Sequence, residues 1–366
     1  MENETSPLES FRAFNVTEHG DHNGTWAAED FFFDKYKQST AVIVLFVLAY
    51  LFIFLLCVVG NVLVIVVVVL NRNMRTVTNF FITNLAVADL LVGVFCLPFN
   101  LADSIMTSWP FGEVMCKVFL TVRVLSVSAS VFTLVAIAVD RYYAVVHPTR
   151  PRFTKTAMMY ILATVWIVAA ATSAPQGLVL TSVTYEGLHT ADGQQLTACE
   201  EVWPGDHYVA GYTFCIFAMC YVFPLVTVGV LYVKIGRSVW NRSKPGGKAK
   251  RSEPSASYSA QSDAVTIHTP PAQPLSSLET QKKLHVIKML LAVVVVFALS
   301  WLPLYSLLIT SLFANFTDPT AEVLYRYVSP LVKGVAFINC GVNPVIYGYY
   351  NNNLRKGFYQ LVRSPK

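Results

Sequence analysis

Between residues 41 and 70 the chain carries no charged side chain. A helix rises 1.5 Å per residue, so about 20 apolar residues cross the roughly 30 Å hydrocarbon core of a bilayer. In lipid every backbone N–H and C=O must find its partner within the protein, which leaves the α-helix for a continuous apolar run of this length. Uncharged runs recur at 156–184, 211–233 and 289–313, and weaker ones, interrupted by charges, lie at 79–105, 112–146 and 327–350. The pattern predicts seven transmembrane helices. A chain that is 54% hydrophobic and only 13% charged also falls outside the usual composition of soluble domains.

Basic residues concentrate in the first, third and fifth loops and in the C-terminal tail, while most acids fall on the opposite side. The positive-inside rule then places the N-terminus outside. The expected organisation is an all-α bundle of seven transmembrane helices at 41–350, preceded by an extracellular tail at 1–40. A disordered cytoplasmic loop, rich in Ser, Pro, Gly, Lys and Gln, is expected at 237–280. A short amphipathic membrane-surface helix and tail are expected at 351–366, because Leu354, Phe358 and Leu361 share a face against Arg355, Lys356 and Arg363. Sequons at Asn3, Asn15 and Asn23 fit an outward, glycosylated tail. The first 30 residues lack the basic start and apolar core of a cleavable signal, so the first span itself directs insertion. The apolar triplet Phe31–Phe33 reads as a membrane-edge anchor or a ligand-contacting patch.

Cys57, Cys96, Cys215, Cys220 and Cys340 fall within predicted helices, where a small apolar packing role suits them. Cys116 and Cys199 lie at outward helix ends or loops and are expected to form a disulfide. Charges placed in lipid are costly and mark function by default, which singles out Arg123 and the Asp140-Arg141 couplet. Polar residues in the first, second, third and seventh spans (Asn61, Asp89, Ser130, Asn339 and Asn343) should find one another. One carboxylate among a hydroxyl and amides suits an allosteric sodium ion, or else a hydrogen-bond network without one. No phosphate-binding loop, metal-ligand cluster or HExxH is present, so neither an enzyme nor any other cofactor is expected. No internal repeat supports a transporter, and no nucleic-acid partner is implied.

The ordered set Asn61, Leu85-Ala86-Val87-Ala88-Asp89, Cys116, Asp140-Arg141-Tyr142, Trp166, Pro224 with Tyr232, Trp301-Leu302-Pro303 and Asn343-Pro344-Val345-Ile346-Tyr347 resembles the signature of rhodopsin-like G-protein-coupled receptors. Longer stretches, among them TVTNFFITNLAVADLLVG, WPFGEVMCK and VNPVIYG, resemble the neuropeptide FF receptors and their RFamide-peptide relatives. This resemblance implies a plasma-membrane receptor with an amidated neuropeptide ligand and a heterotrimeric G protein as partner, arrestin and receptor kinases being further partners. It assigns the coupling switch to Asp140, Arg141, Tyr142, Tyr232, Pro303, Asn343, Pro344 and Tyr347.

Candidate ligand contacts are Asp103, Arg123, Glu200, Glu201, Trp301, Tyr305 and Lys333. Glu201 matches the outer-loop acid with which the family holds a ligand arginine. The chain departs from the family at three pocket positions: Leu312 stands for a second acid, Arg123 for a glutamine and Lys333 for a histidine. Arg123 is expected either to meet a polar or anionic ligand group together with Lys333, or to pair with a protein acid such as Asp103. An aspartate, as amine receptors carry, is absent at Arg123, and Phe337 stands where an opsin needs its lysine.

Overall fold

The computed structural model describes residues 31–149, 153–243, 277–314 and 318–363. Within them seven helices are long and apolar enough to cross a membrane. These are α1 (Thr40–Leu70), α2 (Val77–Ile105), α3 (Gly112–Val146), α4 (Lys155–Val179), α5 (Asp206–Asn241, continuing to Ser243), α6 (Ser277–Phe313) and α7 (Thr320–Tyr350). Helix α8 (Asn352–Arg363) follows at once. The glycosylation sequons Asn3, Asn15 and Asn23 lie outside the described residues.

Lipid supplies no hydrophobic drive for one helix to join another, so close packing and interhelical hydrogen bonds hold the bundle, each such bond contributing on average about 0.6 kcal/mol. Helix α3 is the pivot and packs against α2, α4, α5 and α6. Trp166 of α4 donates to Asn84 of α2 at 2.9 Å, and the same Asn84 donates to Thr133 of α3 at 2.8 Å, so one amide ties three helices. On the opposite side α1 meets α7 at very short range. A Cβ added to Gly60 would lie 2.8 Å from the Pro344 ring, and one added to Gly341 would lie 3.2 Å from Leu56. Outward side chains such as Leu48, Phe52 and Leu55 remain exposed, as a lipid-facing stripe requires.

Helix irregularities fall where proline or π geometry explains them. Helix α2 breaks at Cys96, with Pro98 in the first turn of its second segment. Helix α5 contains a π turn, Ala218–Val222, just before Pro224, and α7 contains another at Leu324–Val328. Asn351 ends α7 and its Oδ1 accepts from the backbone N–H groups of Asn353 and Leu354, turning the chain into α8. Leu354 is fully buried and Phe358 packs beside it against the bundle, as the amphipathic pattern predicted.

The segment between α4 and α5 carries two strands, β2 (Leu180–Thr190) and β3 (Gln195–Glu201), which form an antiparallel hairpin. The triplet Phe31–Phe33 forms a strand, β1, paired in parallel with Leu188–Thr190 of β2. Backbone pairing decides this, and period-two patterning in one short segment cannot reveal its partner. The ends of the expected 237–280 loop are also helical, since α5 reaches Ser243 and α6 begins at Ser277.

Candidate functional site

The Cys116–Cys199 disulfide forms as expected, with 5.6 Å between Cα atoms, and fastens β3 to the start of α3. The hairpin therefore covers one mouth of the bundle. Beneath it lies a cavity of about 340 Å³, walled by α2 to α7 and β3. That volume lies within the usual range for ligand sites. Of the expected contacts, Asp103, Arg123, Glu201, Trp301, Tyr305 and Lys333 all line it, as does Leu312.

Glu200 does not line it. Neighbouring residues of a strand point to opposite faces, so Glu200 lines a second cavity of about 350 Å³ shared with Lys37, Trp109 and Tyr325. There it accepts from the Tyr185 hydroxyl at 2.6 Å. Burial, and then that carboxylate, raise the Tyr185 pKa and keep the phenol protonated.

Glu201 accepts from Gln176 Nε2 at 2.5 Å and from Trp203 Nε1 at 2.9 Å. Both donors are neutral, so the carboxylate is oriented but its charge is not compensated. Lys333 and Asp103 form an ion pair at 3.5 Å across 230 residues of chain. Lys37 adds a 2.7 Å hydrogen bond to the Asp103 backbone oxygen. Of the two basic side chains, Lys333 is the one in contact with Asp103, and no ion pair joins Asp103 to Arg123 among the described residues. Arg123 makes no hydrogen bond or ion pair among the described residues.

The cavity floor is aromatic. Trp301 and Tyr305 stack obliquely at 6.0 Å, and both are buried. Trp301 also walls a much smaller void, of about 10 Å³, whose mainly apolar lining includes Asp89, Ser130 and Asn339. Asn343 Nδ2 donates to Asp89 at 2.8 Å and Ser130 Oγ donates at 3.4 Å. The Oδ1 atoms of Asn339 and Asn343 are buried without a partner. Asn61 does not join this cluster, because its amide donates to the carbonyls of Cys57 and Cys340, at 2.9 Å each, and so ties α1 to α7.

At the other end of α3, Arg141 Nη2 lies 2.5 Å from Asp140 Oδ2. Thr78 of α2 donates to the same carboxylate oxygen at 3.0 Å and also accepts from Arg141, closing a three-residue ring. Tyr142 instead shares a 3.3 Å hydrogen bond with His147. Tyr347 is fully buried, with Tyr232 packed against the same core cluster.

Three residues that the structure places at these sites escaped the sequence reading. Thr78 and Gln176 sit at helix ends, where a polar residue is unremarkable. Asn100 lies inside α2, is 1% exposed and lines the main cavity. Its polarity within a span was the available signal.

A bundle of seven apolar helices, a disulfide-tethered hairpin over a ligand-sized cavity and an Asp-Arg couplet at the far end are the marks of a membrane receptor. The chain belongs to the rhodopsin family of seven-transmembrane receptors, whose model matches residues 60–347. It is a multi-pass plasma-membrane protein of the G-protein-coupled class and not an enzyme. Neuropeptide FF receptor 1 of Rattus norvegicus is 38% identical over 337 residues, covering 91% of this chain and 73% of the relative. Neuropeptide Y receptor type 2 of Sus scrofa is 34% identical over 340 residues, covering 90% and 80%. The QRFP-like peptide receptor of Branchiostoma floridae is 31% identical over 319 residues, covering 86% and 76%.

Proposed function

We propose that this chain is a receptor for an RFamide-like neuropeptide, which it binds at the disulfide end, signalling to a heterotrimeric G protein at the Asp140–Arg141 end. The observation that carries the ligand assignment is Glu201: a carboxylate at the cavity wall, positioned by neutral donors, that awaits a cation. A basic peptide residue fits it, and the names of the relatives agree in class. The disulfide end faces outward in this proposal, with glycans on Asn3, Asn15 and Asn23. Arrestin and receptor kinases would act at the opposite face.

Signalling needs two states. At rest Asp140 and Thr78 hold Arg141. In the active state α6 swings outward about Pro303, Arg141 leaves Asp140, and Tyr232 and Tyr347 steady it. A sodium ion among Asp89, Ser130, Asn339 and Asn343 favours the resting state. The void has room for about one water-sized species, and the unpartnered asparagine oxygens offer hard-cation ligands. Peptide-library screening of the full-length receptor, read as nucleotide exchange, tests the proposal. Binding of a basic amidated peptide should weaken when guanine nucleotide is added; binding insensitive to nucleotide would sink the receptor mechanism.

A further inference from the structure

Two acids and two bases line the main cavity, and only one acid–base pair among them is in contact. Lys333 is neutralised by Asp103 at 3.5 Å. Glu201 has hydrogen bonds from Gln176 and Trp203 but no basic partner among the described residues. Arg123 of α3 has neither a hydrogen bond nor an ion pair there. Asn100, from α2, lines the same cavity with both its amide nitrogen and its amide oxygen buried and unpartnered. The buried Asn100 amide lacks a partner, and the half-buried Arg123 guanidinium would gain charge-assisted bonds if an acceptor entered the cavity.

We infer that Arg123 and Asn100 form a carboxylate subsite. The guanidinium presents two parallel N–H donors matched to a carboxylate, and the Asn100 amide supplies a further donor. With Glu201 taking a base, the pocket-bound end of the peptide is zwitterionic. This rests on the peptide-receptor proposal above and specifies the ligand further. The acid comes either from a free C-terminal carboxylate or from an Asp or Glu side chain next to the basic residue.

The test uses full-length receptor in membranes and three synthetic hexapeptides of one parent sequence ending Arg-Phe. The first is amidated and carries no acid; the second has a free carboxylate; the third is amidated with Glu before the Arg. One acid-bearing peptide should exceed the neutral amide in potency by roughly ten-fold to a hundred-fold, as expected for one charge-assisted bond, and which one does so identifies the source of the acid. Arg123→Gln should erase that advantage while sparing the neutral amide, and Asn100→Ala should reduce it in part. A thermal scan of the unliganded receptor guards against a folding artefact. Arg123→Gln should leave the midpoint unchanged, since the guanidinium has no hydrogen bond or ion pair among the described residues to lose. A fall in that midpoint, or a neutral amide at least as potent as both acids on the parent, overturns the carboxylate subsite alone. Silence of all three peptides on receptor that reaches the surface overturns the basic-peptide proposal as well.

Discussion

Helix α3 carries an arginine near each end of its membrane span, and the two live in opposite circumstances. Arg141 is clasped by the neighbouring Asp140 at 2.5 Å, with Thr78 bonded to both. Arg123 faces a cavity whose nearby acid, Asp103, is already engaged by Lys333. The first cation is satisfied within the chain, so work is needed to release it. The second is left for something outside the chain to satisfy. A receptor needs both conditions, a latch that is closed without ligand and a site that is incomplete without it.

Breaking the closed pair should have the largest effect. Arg141→Ala is expected to abolish nucleotide exchange with surface expression near that of the parent; retained exchange in a cell assay would remove Arg141 from the switch. At the incomplete end, Glu201→Gln should lower the potency of an Arg-containing peptide by about ten-fold or more, since hydrogen bonds to charged groups contribute roughly 1.5–3 kcal/mol. The loss should shrink with an analogue whose basic residue is neutral, and equal losses for both peptides would refute a charge contact.

Between the two ends, sodium should weaken agonist binding by about five-fold through linkage. Asp89→Asn is expected to remove that response, and an identical salt dependence in mutant and parent would leave only a hydrogen-bond network. The smallest effect concerns the Asp103–Lys333 pair. Its side chains are 35% and 25% exposed, so solvent screens it and the pair contributes only about 1 kcal/mol. Asp103→Asn should lower the thermal midpoint by a few degrees, and adding Lys333→Gln should restore it. Additive losses in the double mutant would show that the two groups do not interact.

The closed latch was legible in the sequence because its two partners are adjacent, so no knowledge of the fold was required. The Asp103–Lys333 pair was not, since only the packing of α2 against α7 brings positions 230 residues apart together. All seven helices could be read because their signal is an apolar run long enough to span lipid. The hairpin gave no such signal; its strands are polar and owe their register to the disulfide and to each other. Glu200 and Glu201 were both placed in the ligand site, although strand alternation would have divided them once β3 was recognised. Asn61 was grouped with Asp89 by depth alone, but its amide found backbone carbonyls first.

The Gly60–Pro344 crossing has a mechanical meaning. With a bare Cα pressed against a proline ring, and Gly341 seated on Leu56 nearby, α1 and α7 cross at closer range than two facing side chains would permit. Neither helix can roll past the other without collision, so they behave as one plate, with α8 riveted to it through Leu354. In the proposed switch, that plate is the fixed part against which α6 swings. Its stiffness has a simple signature: Gly60→Val should damage assembly of the receptor while leaving the cavity's chemistry untouched.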